Sequence, residues 1–486
     1  MNNEIRVRIA PSPTGDPHVG TAYIALFNYV FTRQHGGKFI VRIEDTDRAR
    51  STPAAEAMLF ESLRWLGLEH DEGPDKGGPH APYRQSERLA IYREHINTLL
   101  SNGAAYHCFC SSERLEQVRQ AQMAVKESPR YDGLCRSLSL DEVRCRLEAG
   151  EPHVIRLRMP ANGEAVWTDP MRGEVRIRYD LADDQILIKS DGFPTYHFAN
   201  VVDDHLMGIS HVIRAEEWIP SVPKHLHLYR CFGWQPPQFI HMPLLRNPDR
   251  SKISKRHNPT SILFYRRAGI LPRAMLNYLG LMGWTMPDER EFFTVAEMID
   301  HFSFERISLG GPVFDLEKLI WMNGKYIREF IPSDELLRCI REDVFGEEYL
   351  RKILPLVYER IETVERFFDY ANFFFRGTLD YHFPDFVSKK VDRTMAAAVI
   401  EALLPKIDGL MDWNHAEIEA VLRRLVEELQ VPGAAVFMTV RIAVTGRKAS
   451  PPLFETMEVL GKEVCRWRLR DSLEKLRRAP DTAFAE

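Results

Sequence analysis

The fold of this chain is decided near its start, at residues 4–21, which read Glu4-Ile5-Arg6-Val7-Arg8-Ile9-Ala10-Pro11-Ser12-Pro13-Thr14-Gly15-Asp16-Pro17-His18-Val19-Gly20-Thr21. Residues 4–9 alternate polar and apolar side chains, the period-two pattern of a strand, and the prolines and glycines after them predict a loop. From Thr21 the apolar residues take helical spacing, and Gly36-Gly37 ends that helix before an apolar strand at 39–43. Strand, loop, helix and strand together predict a βαβ unit with parallel strands.

The rest of the chain divides by pattern into further regions. A second α/β stretch is predicted from Gln185–Lys189 through Phe239–Leu245, which makes the residues before it an insertion between two α/β halves. Helical patterns dominate from residue 258, and Ser333 is predicted to cap a new helix just after a domain boundary near 330. Farther on, Asn414 and Glu417 are spaced as a capping box at the start of a helical apolar stripe. We therefore expect the C-terminal third to be all-α.

Composition sets the broad class of the protein. The chain has 486 residues, of which 44% are hydrophobic and 27% charged, so it is neither a disordered nor a fibrous protein. Its net charge of −5 neither requires nor excludes a polyanionic partner. No run of eighteen apolar residues occurs, and the seven cysteines do not form a secreted disulfide pattern. These features predict a soluble, cytoplasmic protein with reduced thiols and no membrane partner.

The loop at residues 11–21 has the composition of an anion site. It lies between a strand and a helix N-terminus, where free amides and the helix dipole attract negative charge. Because it lacks the Gly-Lys-Ser/Thr of a Walker A loop, the donors left for a phosphate are His18, the Ser12 and Thr14 hydroxyls and the amides near Gly20. Read alone, the loop is equally consistent with a proline-rich turn that carries one surface histidine.

A second candidate phosphate site is the basic segment Lys252-Ile253-Ser254-Lys255-Arg256. Clustered cations with an adjacent hydroxyl suit polyphosphate charge, although a charge run is more often a solvated loop. The pairing of this segment with the loop at 11–21, in opposite halves of one α/β region, is more specific than either alone.

With these segments the chain resembles bacterial glutamyl-tRNA synthetases, which are class I aminoacyl-tRNA synthetases. Residues 11–21 are similar to the family's HIGH signature in an HVGT form, residues 252–256 to its KMSKS signature, and residues 43–48 (Ile-Glu-Asp-Thr-Asp-Arg) to its IEDTD segment. The resemblance continues at 192–205, 213–218 and 310–315. It covers residues 4 to about 330 closely and then weakens.

The resemblance implies an α/β plus all-α fold in five regions. These are a Rossmann-like parallel-sheet catalytic domain in two halves (1–106 and 185–257), an inserted acceptor-end-binding domain (107–184), a stem-contact region (258–330) and an all-helical anticodon-binding domain (331–486). It also implies ATP-dependent activation of L-glutamate to glutamyl-adenylate, with Mg²⁺, and transfer of the glutamyl group to the 3′ end of tRNA(Glu). We expect a monomer.

Roles for individual residues follow from the same resemblance. His18, Thr14 and Lys255 are expected to be catalytic, and the ATP contacts are expected from Thr14, His18, Gly20, Thr21, Lys252, Ile253, Ser254, Lys255 and Arg256. Glutamate needs buried groups of both signs to be distinguished from neutral or shorter amino acids. The expected contacts are carboxylate forks at Arg8 and Arg214, an ammonium site at Glu44, and neutral partners at Ala10, Ser12, Tyr196 and Asn200.

A zinc site within the insertion is left open. Some relatives hold a structural zinc there with a C-x-C pair and a later C-x-H or C-x-Tyr pair. Here Cys108, Cys110 and Cys135 match, but the last position is Ser137, a poor zinc ligand, so Cys145, His107 or a water would have to complete the site. The alternative is three reduced, buried thiols.

Two regions of the C-terminal third are candidates for RNA contact. Residues 441–478 carry ten basic and five acidic side chains, which predicts phosphate contacts. Arg360 lies beside a helical apolar stripe interrupted by Pro355, where strict relatives tend to keep an arginine that reads the third anticodon base. The alternative interpretation is that Arg360 is an ordinary exposed arginine on a helix.

Two other functions compete with tRNA charging. A small-molecule nucleotidyltransferase of the HIGH superfamily has no use for about 150 further helical residues. A catalytically inactive tRNA-binding protein would be expected to lose His18 or Lys255, and this sequence has both.

Overall fold

The computed structural model describes residues 4–253, 259–388 and 391–484. It separates into two compact units, which are described one at a time. The first contains residues up to 252 together with 276–314, and the second contains residues 253–275 and those from 315 onward. No described helix is long and apolar enough to cross a membrane.

The strands and helices are as follows. The strands are β1 (Arg6–Ile9), β2 (Lys38–Val41), β3 (Ala105–Cys108), β4 (Val154–Leu157), β5 (Glu164–Asp169), β6 (Gly173–Arg178), β7 (Ile186–Ile188), β8 (His211–Ala215) and β9 (Gln238–Met242). The helices of residues 1–301 are α1 (Val19–Gln34), α2 (Pro53–Leu66), α3 (Leu89–Ser101), α4 (Ser112–Ala124), α5 (Leu140–Glu148), α6 (Tyr196–Leu206), α7 (Val222–Phe232), α8 (Ile262–Arg267), α9 (Pro272–Leu281) and α10 (Val295–His301). Those that follow are α11 (Leu316–Lys325), α12 (Ser333–Cys339), α13 (Glu347–Val357), α14 (Phe367–Ala371), α15 (Arg393–Gly409), α16 (His415–Leu429), α17 (Gly433–Thr445), α18 (Leu453–Leu460) and α19 (Lys462–Arg478).

The predicted βαβ unit is present in the first compact unit. Strands β1 and β2 pair in parallel, and α1 connects them. Two glycines make the sharp return from helix to strand. Gly36 takes a φ of 62°, and Gly37 lies so close to the strand that a Cβ atom would sit 2.2 Å from the Ile5 carbonyl oxygen. Phe27 of α1 is fully buried, which stabilises the fold by about 2–3 kcal/mol.

A second parallel pair, β8 with β9, lies next to β1. The Ser210 amide, just before β8, donates to the Arg6 carbonyl oxygen of β1 at 2.9 Å. The parallel strands therefore follow the order β2, β1, β8, β9. Because parallel strands end at the same edge, residues at and after their carboxyl ends are brought together there.

The inserted segment forms its own antiparallel structure. Strand β4 pairs with both β3 and β7, and β5 pairs with β6 as a hairpin. The sequence prediction that Gln185–Lys189 opens the second α/β stretch is therefore wrong, because β7 completes the inserted sheet. A short apolar run does not show whether its partner strand is parallel or antiparallel.

The second unit is helical. Asn414 caps α16 by accepting a hydrogen bond from the Glu417 amide at 3.0 Å, and Ile418, Leu422 and Leu425 are buried. The predicted capping box is only half formed, because the Glu417 side chain does not accept from the Asn414 amide. At α12 the prediction is off by one residue, since Pro332 occupies the cap position and Ser333 begins the helix. Pro355 lies inside α13, which ends two residues later at Val357.

Candidate active site

Five of the predicted glutamate-binding residues come together at the parallel strands of the first unit. Arg8 lies on β1, Arg214 on β8, and Glu44 shortly after β2, while Tyr196 and Asn200 lie on the first turns of α6. Hydrogen bonds join them into two groups. Arg8 Nη2 donates to Asn200 Oδ1 at 3.3 Å and Asn200 Nδ2 donates to Glu44 Oε1 at 3.2 Å, whereas Arg214 Nη1 donates to the Tyr196 hydroxyl at 3.3 Å.

The Arg8 guanidinium group already binds a carboxylate group of the protein. Its Nε and Nη2 donate to the two carboxylate oxygens of Asp204 at 2.9 and 3.0 Å, and the pair is buried. Arg42 also binds Asp204, at 2.7 Å, and Arg88 binds Asp203 at 2.7 Å. The adjacent aspartates of α6 therefore neutralise most of the buried positive charge.

Glu44 has one carboxylate oxygen available to a ligand. Its Oε1 accepts from Asn200 and from Arg42 Nη2, the latter at 3.4 Å, while Oε2 accepts no hydrogen bond from the described residues. Burial raises the pKa of Glu44 to about 7, against the opposing effect of the Arg42 and Arg8 charges. A cationic ligand group at Oε2 would favour the ionised form.

Arg214 is 5% exposed and forms no ion pair with any described residue. Its acceptors are uncharged: His241 Nε2 at 3.3 Å, the Tyr196 hydroxyl, His225 Nδ1 at 3.4 Å and the Trp218 carbonyl oxygen at 3.3 Å. Because a guanidinium group has five N–H donors, these four acceptors leave one Nη2 donor for a ligand. Burial without a compensating anion lowers the pKa of Arg214.

The loop at residues 11–21 ends in a histidine cap. His18 is the N-cap of α1, and its Nδ1 accepts a hydrogen bond from the Gly20 amide at 2.9 Å. In the neutral ring the proton then lies on Nε2, where it can be donated to an anion. A Cβ atom at residue 20 would approach His18 Nδ1 to 3.0 Å, so a larger residue there would require the ring to shift.

The other predicted residues of this loop vary in exposure. Ser12 and Thr14 are exposed, and the Thr14 amide donates to the Ser12 carbonyl oxygen at 2.9 Å. Ala10 and Thr21 are half-buried. The exposed hydroxyls can thus reach a ligand outside the protein core.

Only the start of the basic segment lies within the described residues. Lys252 is exposed and its Nζ donates to Glu217 Oε2 at 2.5 Å, while Ile253 is buried. Ser254, Lys255 and Arg256 lie outside the described part of the chain.

The three predicted metal-binding cysteines form a tight cluster. The sulfur atoms of Cys108, Cys110 and Cys135 lie within 4.8 Å of one another, the only such group of His, Cys, Asp or Glu ligand atoms found among the described residues. Burial raises the pKa of Cys110 to about 12. A cation at the centre of the cluster would reverse this effect by favouring the thiolate.

The fourth group of this cluster is a tyrosine rather than any of the residues expected from sequence. The Tyr131 hydroxyl lies 3.4 Å from Cys108 Sγ and 3.7 Å from Cys110 Sγ. Ser137 and Cys145 are exposed, and His107 is not part of the cluster. Three sulfurs and one oxygen fit the four-coordinate geometry of zinc.

The basic stretch 441–478, predicted to contact phosphates, is only partly available at the surface, where Lys448, Arg477 and Arg478 are exposed. Arg466 and Arg468 are buried, and Arg468 donates to three backbone carbonyl oxygens. Arg470 binds Asp408 at 3.1 Å. The prediction of phosphate contacts is wrong for Arg466 and Arg468, because their donors are used inside the helical unit.

Arg360, in contrast, is exposed. Its Nη1 donates to the Ser450 carbonyl oxygen at 3.4 Å, beside Arg441, which donates to the same oxygen at 3.3 Å. Two guanidinium groups thus lie together on the helical unit.

Comparisons with known proteins assign this arrangement to a family. Residues 4–321 match the family model described as tRNA synthetases class I (E and Q), catalytic domain. Residues 325–473 match the model of an anticodon binding domain. The second match argues against a small-molecule nucleotidyltransferase, which would not need such a domain.

Individual proteins of nearly the same length are also similar to this chain. The chain is 54% identical over 472 residues to a glutamate–tRNA ligase of Stutzerimonas stutzeri (97% of this chain, 96% of the relative) and 54% identical over 472 residues to one of Pseudomonas aeruginosa (97% and 95%). The crystal structure of a glutamate tRNA ligase from Elizabethkingia meningosepticum in complex with its amino acid matches with a TM-score of 0.65 and 34% identity, over 98% of this chain and all of that one. The chain therefore belongs to the glutamate–tRNA ligases, within the class I tRNA synthetases for glutamate and glutamine.

Proposed function

We propose that this glutamate–tRNA ligase recognises the side-chain carboxylate of L-glutamate through Arg214 and the Tyr196 hydroxyl, and the α-ammonium group through Glu44. The observation that carries the proposal is the charge of the buried cluster. Arg8, Arg42, Arg88 and Arg214 are opposed by three carboxylates, those of Glu44, Asp203 and Asp204. The next buried carboxylate, that of Asp169, has its own cation in Arg172 at 3.8 Å. The uncompensated cation is Arg214, and a substrate carboxylate would compensate it.

The donors around Arg214 support a two-point contact. The Tyr196 oxygen accepts from Arg214, so its own hydrogen is directed elsewhere, and one Nη2 donor of Arg214 also lacks an acceptor among the described residues. Together they match the two oxygens of a carboxylate. Glutamine would present an NH₂ group to one of these donors and would be rejected for that reason.

In this proposal Arg8 contributes less to binding the substrate carboxylate than the family resemblance implied. Asp204 occupies its Nε and Nη2, which leaves only Nη1 for the substrate. Asn200 holds Glu44 in position through Oε1 and so leaves Oε2 to the α-ammonium group. Ala10 and Ser12 would contact the substrate from the loop after β1.

Activation requires the α-carboxylate of glutamate to attack the α-phosphorus of ATP, with pyrophosphate as the leaving group. No protein nucleophile is needed, so the protein would act by positioning and by stabilising charge on the phosphoryl oxygens. His18 would donate from Nε2, with Thr14, Gly20 and Thr21 near it at the start of α1. Lys252, Ile253, Ser254, Lys255 and Arg256 would hold the triphosphate, with Lys255 on the leaving pyrophosphate.

Class I synthetases use ATP with Mg²⁺, which neutralises phosphate charge. The Mg²⁺ ion would be bound together with the ATP phosphates. A zinc ion would have a structural role. Cys108, Cys110, Cys135 and Tyr131 would hold it in the inserted region, and metal analysis of protein purified without chelator, with Cys108→Ser as control, tests this.

The RNA partner would be tRNA(Glu). The helical unit, which matches an anticodon binding domain, would read its anticodon, with Arg360 as the residue that discriminates the third base. The inserted region at 107–184 would hold the acceptor end, and residues 258–330 would contact the stem. The full chain would act as a monomer in the cytoplasm.

Exchange of pyrophosphate into ATP, measured with the full chain and tRNA(Glu), tests the proposed recognition. We expect glutamate to support exchange and glutamine and aspartate to be at least about 10²-fold less efficient in kcat/KM, because each leaves part of the Arg214 and Glu44 contacts unmade. Equal efficiency with glutamine would contradict the role of Arg214.

A further inference from the structure

The acceptors of Arg214 are themselves held by buried groups that the proposed function does not use. His241 lies on β9 and His225 on α7, and neither ring is exposed. Each ring has its second nitrogen in another hydrogen bond. His241 Nδ1 lies 2.9 Å from Asp169 Oδ2, and His225 Nε2 lies 3.0 Å from His197 Nδ1.

These contacts fix the tautomers of both histidines. Arg214 has only donors, so the nitrogen facing it on each ring must present a lone pair. His241 therefore carries its proton on Nδ1 and donates it to Asp169. His225 carries its proton on Nε2 and donates it to His197. Both rings are then neutral.

The charges around the two histidines are consistent with the neutral state. Burial lowers the pKa of His225 well below its usual value, and the neighbouring Arg214 lowers it further. Burial likewise lowers the pKa of His241, against the opposing effect of its hydrogen bond to Asp169, and lowers the pKa of His197 to about 3. At neutral pH neither ring that contacts Arg214 contributes a charge.

Asp169 is well placed to maintain this arrangement. It ends β5, is fully buried, and accepts from the His241 amide at 3.0 Å as well as from the ring, while its Oδ1 accepts from the Met171 amide at 3.0 Å. Both carboxylate oxygens are thus in use. Its charge lies one residue away from Arg214, with the neutral His241 ring between them.

We propose that His225 and His241, oriented by His197 and Asp169, are positioning residues that hold Arg214 with uncharged acceptors and thereby preserve its charge for the substrate carboxylate. A protein carboxylate at either position would hold the guanidinium group equally well but would neutralise it. The site would then no longer bind the negatively charged side chain of glutamate better than the neutral side chain of glutamine. This inference rests on the proposed role of Arg214.

Two variants at one position separate charge from packing. In His225→Asn the side-chain oxygen can take the place of Nδ1 as a neutral acceptor, and His225→Asp has the same shape but adds a negative charge. The measured quantity is the ratio of kcat/KM for glutamate to kcat/KM for glutamine, from pyrophosphate exchange with tRNA. In His225→Asn we expect this ratio to stay within about threefold of the unmodified value, even if turnover changes. In His225→Asp we expect the same ratio to fall by about 100-fold or more, mainly because the KM for glutamate rises. An equal ratio in the two variants overturns the proposal.

Asp169→Asn gives an independent test if a His225 variant does not fold, as judged by its thermal unfolding. An asparagine can replace only one of the two acceptor oxygens, so the His241 tautomer is no longer fixed by a carboxylate, and the tautomer with a proton on Nε2, directed toward Arg214, becomes accessible. We expect the KM for glutamate to rise by about tenfold or more, with kcat changed by less than about threefold. An unchanged KM overturns the proposal.

Failure of this inference can be told apart from failure of the proposed function. If Arg214→Met leaves glutamate recognition intact, the role of Arg214 itself is wrong. If Arg214→Met abolishes recognition while the Asn and Asp variants of His225 behave alike, only the role of the histidines is wrong.

Discussion

Arg214 in the first unit and Arg468 in the second are both buried guanidinium groups that form no ion pair with a described residue. Arg468 donates to the carbonyl oxygens of Val444 at 2.6 Å, Phe373 at 2.6 Å and Arg376 at 2.5 Å. Val444 lies in the last turn of α17, where helix carbonyls lack partners and the dipole is negative. Arg468 is thus compensated by three backbone carbonyl oxygens, although its Nε has no hydrogen-bond partner among the described residues. The acceptors of Arg214 are instead two neutral rings, a hydroxyl and one carbonyl oxygen.

The comparison shows that burial without a carboxylate does not by itself identify a binding residue. Burial lowers the pKa of both arginines, so their electrostatic surroundings look alike. They differ in their acceptors. A helix end supplies partial negative charge within the fold, while neutral histidines leave the compensation to a ligand. Arg214 should therefore matter for substrate binding and Arg468 for stability.

The largest effect is expected from Arg214→Met. Loss of the cation that pairs with the substrate should lower kcat/KM for glutamate by about 4–5 kcal/mol in transition-state stabilisation, a factor of about 10³ or more. The thermal midpoint should stay the same or rise, because an uncompensated buried charge has been removed. A lower midpoint with normal glutamate kinetics would place Arg214 in the same class as Arg468.

Arg468→Met should have the opposite profile. Three buried carbonyl oxygens would lose their donors, which should lower the free energy of unfolding by about 2–4 kcal/mol. Denaturant unfolding measures this loss, and the KM for glutamate of the folded enzyme should be unchanged. If the KM rises while stability is normal, the structural assignment of Arg468 is wrong.

The acidic side of the site gives a pH dependence. Glu44, whose pKa is raised to about 7, must lose its proton to bind the α-ammonium group. The Kd for glutamate should therefore rise about tenfold for each pH unit below 7 and level off above it. Because the folded pKa exceeds the unfolded one, this residue stabilises the ligand-free protein most at low pH, and that contribution is lost as pH rises through 7.

For the unmodified protein between pH 5.5 and 8, calorimetric titration with glutamate measures the Kd, and scanning calorimetry without ligand measures the stability. Glu44→Gln is the matched control, since it keeps the shape of the side chain but cannot titrate. The slope of Kd against pH should disappear in this variant. A slope that persists would assign the titration to another group.

The smallest effect concerns an arginine that is exposed rather than buried. If Arg360 reads the third anticodon base, Arg360→Gln should raise charging of the glutamine tRNA relative to tRNA(Glu), by about 1–3 kcal/mol of discrimination. Charging assays on the two purified tRNAs measure this ratio. Equal charging by the unmodified protein, or an unaltered ratio in the variant, would remove Arg360 from this role.

Local pattern was sufficient to predict the first βαβ unit, because strand alternation, the Pro-rich loop and the paired glycines lie within about forty residues. Resemblance supplied Arg8, Glu44, Tyr196, Asn200 and Arg214, and the structure brings these five together. Their roles could not be separated from sequence, because the difference between Arg8 and Arg214 depends on Asp204, which binds Arg8 but not Arg214.

Partners distant in sequence were missed for a related reason. Asp169 and His241 are 72 residues apart and meet only through strand pairing and the inserted hairpin. Tyr131 reaches the cysteines because the chain turns back before Cys135, whose amide donates to the Tyr131 hydroxyl at 2.9 Å. A half-buried tyrosine four residues before a cysteine gives no distinctive sequence signal. For the basic stretch 441–478 the sequence predicted too many phosphate contacts, because composition does not show which cations bind carbonyl oxygens inside the fold.

A crystal structure of the full chain with glutamate and a non-hydrolysable ATP analogue tests the central claim most directly. The account predicts the side-chain carboxylate within roughly 3 Å of Arg214 Nη2 and the Tyr196 hydroxyl, with the α-ammonium group at a similar distance from Glu44 Oε2. The His225 and His241 contacts to Arg214 should be unchanged. A side-chain carboxylate bound to Arg8, or to any cation other than Arg214, would contradict the account.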